Sequence, residues 1–211
     1  LSAVRERDGW LVRYRSGAEI LEVRTRTLVN AAGPWVEHVR RRISPTPSGR
    51  TVDLVAGTHL ELRGKLERGI YYTEAPRDRR AVFVMPWKDR ILLGTTERTH
   101  RAEPGEVTPT PEERDYLLET YSHYFSGSPE VLDSWAGLRV LPRAKGEAFH
   151  RSRETLLFHD DPQMPRYVGI YGGKLTGYRA TAARTLKALS PVLPIRPQLA
   201  DTATLKLPDV D

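Results

Sequence analysis

The sequence predicts an α+β fold in which a mixed, largely antiparallel β-sheet is covered by helices. Short apolar segments bounded by turn residues indicate about nine or ten strands, whereas only about three segments have helical spacing. The strands mostly follow one another instead of alternating with helices, which is typical of α+β proteins. With 211 residues, the chain is long enough to bury a substantial core.

The first part of the chain predicts a run of strands that ends in a small-residue turn. Residues 9–33 give three short strands, separated by Ser16-Gly17 and by the stretch 24–27. The last of them runs into Ala31-Ala32-Gly33, and Pro34 suits the first position of a helix. A turn of this kind lets the backbone approach a ligand closely, and a tight packing corner is the alternative interpretation.

The middle of the chain predicts four strands and a well-marked helix. The strands cover residues 52–62, 69–75, 81–86 and 91–96, and the last two form a hairpin. Thr110, Pro111 and Glu113 have the spacing of an N-cap, a first helical residue and a capping box. The apolar face of this helix is predicted to be core and consists of Leu117, Leu118, Tyr121, Tyr124 and Phe125.

The last part predicts strands at 131–143, 155–159 and 167–173, followed by a final helix. In that helix one apolar face is predicted from Leu175, Ala182, Leu186 and Leu189. The chain begins without Met inside an apparent strand and ends in a proline-containing tail. We therefore expect it to be a piece of a longer protein.

Composition and charge narrow the classes of function. The net charge of +6 comes from 33 Lys and Arg against 27 Asp and Glu. Many of the arginines are scattered without interleaved aromatics, at positions 24, 26, 40–42, 77, 79 and 80. Nucleic-acid binding is therefore not predicted. Binding of anionic small molecules or of an acidic membrane surface accounts for the excess of positive charge as well. The absence of cysteine excludes disulfides and thiolate chemistry, and the six histidines show no metal-ligand spacing. No apolar run approaches the ~20 residues of a membrane span.

Three groups of residues could carry chemistry. The final helix opens behind Gly172, Gly173 and Lys174, where backbone N–H groups and a cation favour an anion or a polarised carbonyl. Arg139 lies in an apolar stretch and needs a carboxylate or phosphate partner, so a substrate site and an internal salt bridge are both open. His59 follows Gly57 and Thr58 on a strand and is either a general base or a structural histidine.

These segments, in this order, resemble the FAD-dependent glycerol-3-phosphate dehydrogenases, within the wider family of FAD oxidoreductases related to D-amino-acid oxidase. The resemblance runs from about Val23 to about Leu189. It is carried by LVNAAGPWV (28–36), GTHLEL (57–62), VFVMPWKDRILLGTTE (82–97), GLRVLPR (137–143), SRETLL (152–157) and GIYGGKLTGYR (169–179).

The resemblance implies FAD as the cofactor. Two backbone segments are expected to contact it: the turn after one strand and the helix start at the pyrimidine end of the isoalloxazine ring. The corresponding residues are Ala32, Gly33 and Pro34 in the first segment, and Gly172, Gly173, Lys174, Leu175 and Thr176 in the second.

The resemblance also implies a substrate site for sn-glycerol 3-phosphate. Arg139 and Arg153 correspond to arginines that hold the substrate phosphate, His59 is the expected base, and Lys174 serves the substrate or the ring. His59 would remove the C2 hydroxyl proton while the C2 hydride passes to flavin N5, which yields dihydroxyacetone phosphate. The electrons then pass to quinone or to oxygen. No metal is implied.

The sequence departs from the family's pattern at Ala56, where lysine is frequent, at Val140, where proline is usual, and at Gly177, which replaces a hydroxyl residue. These differences leave two alternatives open. One is a related FAD oxidoreductase that acts on another hydroxy or amino acid, and the other is a flavin-free binding module.

The resemblance predicts how the chain is divided. Residues 1–43 and 166–190 are expected to close the FAD-binding domain, residues 44–165 to form the substrate-binding domain, and residues 191–211 to be a tail. No GxGxxG segment is present to bind the FAD pyrophosphate, so we expect the chain alone to be inactive. A cytoplasmic location is expected. Peripheral contact with the inner face of the cytoplasmic membrane and homo-oligomerisation are left open.

Overall fold

The structure, a computed structural model, describes residues 1–143 and 154–206 and has the predicted α+β fold. Its sheets are mixed and largely antiparallel, which confirms the predicted class. The strands are β1 (Ser2–Glu6), β2 (Gly9–Ser16), β3 (Glu19–Thr25), β4 (Leu28–Asn30), β5 (Ile43–Ser44), β6 (Val52–Arg63), β7 (Tyr71–Glu74), β8 (Ala81–Trp87), β9 (Arg90–Gly94), β10 (Arg98–His100), β11 (Val131–Pro142), β12 (Thr155–His159) and β13 (Tyr167–Gly172). The α-helices are α1 (Val36–Arg40), α2 (Pro111–Tyr124) and α3 (Tyr178–Leu189).

The chain forms two compact units. The described residues of the first unit are 1–52, 142–143 and 154–206, and those of the second are 53–141. The assignment of segments to an FAD-binding and a substrate-binding domain stays a prediction.

The first unit contains two sheets. One has the strand order β3-β2-β1-β5, and Gly17, with φ +60°, forms the turn between β2 and β3. The other has the order β12-β13-β4, in which β13 and β4 run parallel. Trp10 and Tyr167 are fully buried where the apolar side chains of this unit pack together, and the Trp10 indole N–H donates to the Arg166 carbonyl at 2.8 Å.

The second unit is built around the long strand β6. This strand pairs with β10 at Leu54–Ala56 and with β9 at His59–Arg63, and it also pairs with β11. Leu60 and Leu62 point into a core closed by Leu117 of α2. Because side chains alternate along a strand, His59 lies on the opposite face of the sheet.

The capping box at the start of α2 is confirmed. The Thr110 side chain accepts from the Glu113 N–H at 3.3 Å, and the Glu113 carboxylate accepts from the Thr110 N–H at 3.2 Å. The same buried carboxylate accepts from the Thr96 hydroxyl at 2.6 Å and from Arg98 Nε at 3.2 Å. One glutamate therefore fixes both the helix start and the chain that leaves β9.

Two predicted helix faces need correction. On α2, Leu117 and Tyr121 are buried, but Tyr124 is 48% exposed because its hydroxyl reaches out to the Glu74 carbonyl. On α3, Leu186 is 62% exposed and the buried residues are Thr185 and Leu189. Thr185 can be buried because its hydroxyl donates to the Thr181 carbonyl at 2.9 Å. Leu175 and Ala182, also predicted for that face, are exposed, and Leu175 precedes α3 and is 89% exposed.

We expect Glu113→Ala to lower the free energy of unfolding by about 2–3 kcal/mol, because it removes the Glu113 half of the capping box and leaves buried donors unpaired. Burial raises the pKa of the Glu113 carboxyl, but hydrogen bonds from Thr96 and the Thr110 backbone hold it below its usual range. This stabilisation is therefore present above the usual glutamate pKa and is lost as pH falls through the lowered value.

Urea denaturation at several pH values tests the prediction, with Asp115→Ala in the same helix as the control. The control should leave the midpoint nearly unchanged, since Asp115 is exposed. Equal effects of both substitutions would contradict the role given to Glu113.

Candidate functional site

In the first unit, the two predicted ligand-contacting turns lie at the same edge of one sheet. Strands β4 and β13 pair in parallel, with Val29 opposite Val168 and Asn30 opposite Gly169. The chain leaves β4 through Ala31-Ala32-Gly33 and leaves β13 through Gly172-Gly173. The carboxyl ends of neighbouring parallel strands are where open sheets that contain such strands bind ligands.

Glycine is required at three positions of these turns, for reasons that differ from one turn to the other. Gly33, Gly172 and Gly173 have φ values of +53°, +69° and +91°, which disfavour any residue with a Cβ. A Cβ at Gly172 would lie 2.9 Å from the Glu154 carbonyl oxygen, and one at Gly173 would lie 2.5 Å from Thr155 Oγ1. A Cβ at Gly33 would meet no other atom within 4 Å. Packing thus explains the glycines at 172 and 173, whereas Gly33 leaves open space beside the backbone.

Asn30 fixes the turn after β4 and was missed as a site residue from the sequence. Its side chain is buried and donates to the Val36 carbonyl at 2.8 Å and to the Tyr167 hydroxyl at 3.3 Å. Its Oδ1 accepts from the Ala32 N–H at 3.3 Å. An asparagine that ends a strand just before a small-residue turn is the signal that could have identified it.

A buried carboxylate anchors α1 to β13 behind this edge. Glu37 accepts two hydrogen bonds from Arg40, at 2.8 and 2.9 Å, and one from the Tyr171 hydroxyl at 2.8 Å. Burial raises the pKa of Glu37, but these hydrogen bonds hold it below its usual range. The carboxylate therefore stays charged and holds the two elements together.

The helix start after Gly173 is open to solvent. Lys174 is the N-cap residue of a 3₁₀ turn, Leu175–Gly177, and its backbone is extended. No side chain forms a capping hydrogen bond with that turn. Lys174, Leu175 and Thr176 are exposed, and the Gly177 N–H donates to the Lys174 carbonyl at 2.9 Å. The arrangement leaves the N-terminal end of the turn accessible to a ligand.

In the second unit, His59 is held against two neighbouring strands. Its imidazole stacks on the Trp135 indole of β11, with ring centroids 4.3 Å apart and an angle of 16° between the planes. Gly94 of β9 is its register partner, and a Cβ there would collide with the imidazole. Burial lowers the pKa of His59, and the charge of Arg139 lowers it further. The imidazole is therefore neutral near pH 7 and able to accept a proton.

Arg139 takes part in an internal ion pair. Its Nη2 donates to the Thr96 carbonyl at 2.8 Å, and its Nη1 lies 3.6 Å from Glu97 Oε1. The Glu97 side chain is 8% exposed and also pairs with Arg80 at 2.5 Å. A Cβ at Gly57 would lie 2.9 Å from Arg139 Nη2, so that glycine lets the guanidinium lie against β6. The Arg139 side chain is still 27% exposed, so an anion can reach it from solvent.

The predicted site residues therefore form one group in each unit. The first unit contains the eight residues predicted to contact FAD, at two adjoining turns: Ala32, Gly33, Pro34, Gly172, Gly173, Lys174, Leu175 and Thr176. In the second unit, the Arg139 guanidinium lies against Gly57, two residues before His59 on β6. Arg153 lies outside the described residues, so its predicted role stays a prediction.

The structure also locates the positions at which the sequence departs from the family's pattern. Ala56 is buried opposite Arg98, Val140 lies on β11, and Gly177 forms the N-cap of α3. Within residues 1–143 and 154–206, no three His, Asp or Glu side chains converge to hold a metal ion. No helix in the same ranges has the length and apolar character needed to cross a bilayer.

Comparisons with known proteins point to one family. The family model described as "FAD dependent oxidoreductase" matches residues 1–201. The chain is 31% identical to D-erythritol 1-phosphate dehydrogenase of Brucella abortus over 92% of its own length and 40% of that protein. It is 33% identical to glycerol-3-phosphate dehydrogenase of Pseudomonas aeruginosa over 90% of its own length and 39% of that protein.

A solved structure agrees with these matches. Glycerol-3-phosphate dehydrogenase from Bacillus halodurans, complexed with FAD, superposes with a TM-score of 0.72 at 28% identity. The superposition covers 90% of this chain and 38% of that protein. The chain thus spans about 40% of the length of the curated relatives it matches.

Proposed function

Because this chain belongs to the FAD-dependent oxidoreductases, we propose that it forms part of a flavoenzyme that oxidises sn-glycerol 3-phosphate to dihydroxyacetone phosphate. The observation that carries the proposal is that an imidazole and a guanidinium lie along β6 in the second unit: His59 stacks on Trp135, and Arg139 Nη2 would lie 2.9 Å from a Cβ at Gly57, two residues before His59. A base for a hydroxyl proton and a cation for a phosphate are the two groups that oxidation of a phosphorylated alcohol requires.

The sheet edge of the first unit fits a flat cofactor. The open space beside Gly33, the left-handed glycines after β13 and the uncapped 3₁₀ turn at Lys174 let backbone atoms approach a planar ring without side chains in between. We assign FAD contacts to Ala32, Gly33 and Pro34 and to residues 172–176. When bound, FAD accepts the hydride equivalent that leaves the substrate carbon.

The residues of the second unit hold and deprotonate the substrate. His59 accepts the C2 hydroxyl proton as the C2–H bond breaks, because its lowered pKa keeps the imidazole neutral. Arg139 binds the phosphate and stabilises negative charge that develops on the C2 oxygen. Arg153 and Lys174 are assigned to the same substrate by the family resemblance.

The Gly33 contact leads to a prediction with a close internal control. Gly33→Ala and Gly17→Ala both place a Cβ at positive φ, where neither Cβ meets an atom within 4 Å, so each costs about 1–2 kcal/mol of strain. Only Gly33→Ala should lower FAD affinity, by about tenfold or more, because its Cβ enters the space assigned to the cofactor.

The measurement is the amount of flavin that FAD-loaded enzyme containing each variant retains through gel filtration. Equal retention by the two variants would remove Gly33 from the cofactor site. Thermal denaturation of both variants checks that their folding costs match.

A second substrate is favoured by a specific observation. The chain is 31% identical to a D-erythritol 1-phosphate dehydrogenase, a value close to the 33% found for a glycerol-3-phosphate dehydrogenase. The two substrates share a phosphate and a secondary hydroxyl, so His59 and Arg139 would act alike on both. Residues that contact the rest of the polyol would then set the preference.

The direct test is anaerobic reduction of FAD-loaded enzyme that contains this chain. Flavin bleaching is followed with sn-glycerol 3-phosphate, D-erythritol 1-phosphate, glycerol and an amino acid as substrates. Fast bleaching by either polyol phosphate and none by glycerol supports the proposal. Bleaching by the amino acid alone would favour the related oxidoreductase alternative, and failure to bind FAD would favour the flavin-free module.

Four further assignments remain part of the proposal. The first is that quinone or oxygen is the electron acceptor. The second is that the protein is cytoplasmic and contacts the inner face of the cytoplasmic membrane peripherally. The third assignment is a homo-oligomer. The fourth is that the 211-residue chain is inactive by itself, because it lacks the GxGxxG segment that binds the FAD pyrophosphate.

A further inference from the structure

The orientation of the His59 imidazole has an unusual origin. A catalytic histidine is commonly oriented by a hydrogen bond at the ring nitrogen that does not take the substrate proton. Here Nδ1 of His59 is buried and has no hydrogen-bond partner among the residues that the structure describes. Another interaction must therefore set the orientation of the ring.

Two contacts hold the ring in place. The Trp135 indole is stacked on the imidazole at 4.3 Å and 16°, and the backbone of Gly94 lies against the imidazole from the neighbouring strand. Because Gly94 has no side chain, it limits the position of the ring but offers no second stacking partner. The stacked indole is therefore the side chain that resists rotation of the imidazole about its Cβ–Cγ bond.

Trp135 is not explained by packing of the core. It is 41% exposed and lies outside both clusters of buried apolar residues. The ring contact that Trp135 makes is the stack on His59.

The charges around His59 do not replace the stack. From β11, Arg139 acts on His59 electrostatically but makes its own contacts with the Thr96 carbonyl and Glu97. Glu97 in turn pairs with Arg139 and with Arg80. From β9, the residue beside the imidazole is the uncharged Gly94.

We propose that Trp135 is the positioning residue for His59 and that its indole keeps the imidazole in the orientation in which it accepts the substrate proton. The stack thereby orients the imidazole as a hydrogen bond at Nδ1 orients other catalytic histidines. This inference rests on the proposed function of His59 as the base.

The first test uses the 211-residue chain and needs no cofactor. The imidazole Cε1–H signals are titrated by NMR in the wild type, Trp135→Leu and Trp135→Phe, and the His59 signal is assigned from its absence in His59→Asn. Trp135→Leu should move the His59 signal, because the ring current of the indole is lost. It should also move the His59 titration upward toward the ordinary histidine range, because the ring becomes more exposed to water.

The second test measures how fast substrate reduces FAD-loaded enzyme that contains each variant. Trp135→Leu should slow flavin reduction about tenfold and shift its acid limb upward, whereas Trp135→Phe should stay within about threefold of the wild type. Trp87→Leu is the matched control, because Trp87 is 44% exposed on β8 of the same sheet and should change neither readout. Trp135→Gln replaces Trp135→Leu if the leucine variant does not fold.

The outcomes separate this inference from the proposed function. A folded Trp135→Leu or Trp135→Gln variant with an unchanged His59 titration, or with an unchanged rate of flavin reduction, would overturn the positioning role. A wild type that shows the stacked His59 signal but oxidises no polyol phosphate would contradict the proposed function. The role of His59 as the base, oriented by Trp135, would then be rejected too. Upward-shifted titration and slowed reduction together, with rescue by phenylalanine, are the expected result.

Discussion

Arg139→Lys is expected to lower kcat/KM for sn-glycerol 3-phosphate about 100-fold while FAD content stays unchanged, a loss of about 2.7 kcal/mol of transition-state binding. Lysine keeps the positive charge but loses the planar fork that binds a phosphate through two parallel hydrogen bonds. The structure gives a second reason. Two nitrogens of the guanidinium are held, one by the Thr96 carbonyl at 2.8 Å and one near Glu97, and a single ammonium cannot keep both positions.

Steady-state kinetics and flavin absorbance on the same preparation measure this prediction. Arg63→Lys is the control: Arg63 lies at the end of β6 and pairs with Glu130 on the surface of the same unit. The control should keep wild-type kinetics. If Arg139→Lys lost no more than a few-fold in kcat/KM, Arg139 would be only the internal ion-pair partner that the sequence left open as the alternative.

Much of the fold could be predicted because the signals are local. The segments 52–62 and 91–96 alternate or run apolar between turn residues, and they became β6 and β9. The capping box depends on residues only three positions apart, so Thr110 and Glu113 could be paired from the sequence. The face of α3 could not be predicted, since periodicity does not tell which turns of a helix the neighbouring strands cover. Leu186 is exposed and Thr185 is buried for that reason.

The positions of the two turns predicted to contact a ligand could be predicted because both turns follow strand ends. The turns after β4 and β13 carry small residues, and the parallel pairing of these strands brings the turns to one edge. The partners of the catalytic candidates were not predictable. Trp135 is 76 residues from His59 (135 − 59), and such a contact is set by strand pairing, which has no local sequence signal. Glu97 was missed for the same reason, because its ion pair with Arg139 joins distant segments of the chain.

His59→Asn is expected to slow reduction of bound FAD by sn-glycerol 3-phosphate by about 10²–10³-fold and to leave substrate affinity nearly intact. Asparagine occupies a similar volume but has no nitrogen that can accept a proton at neutral pH. Substrate binding should persist because Arg139, to which we assign phosphate binding, is unchanged. Stopped-flow measurements of flavin absorbance at saturating substrate report this step directly.

The pH dependence of the same step identifies the group. Burial, and then the charge of Arg139, lower the pKa of His59, and only the neutral imidazole accepts a proton. The wild-type rate should therefore stay high as pH falls through the ordinary histidine pKa and decline only at the lowered value. This acid limb should be absent in His59→Asn. His123→Asn, at an exposed position in the last turn of α2, should keep both the rate and the limb. If folded, FAD-loaded His59→Asn were reduced at the wild-type rate, His59 would have only a structural role. The variant differs from the wild type at this position alone, so the proton acceptor would then have to be another group.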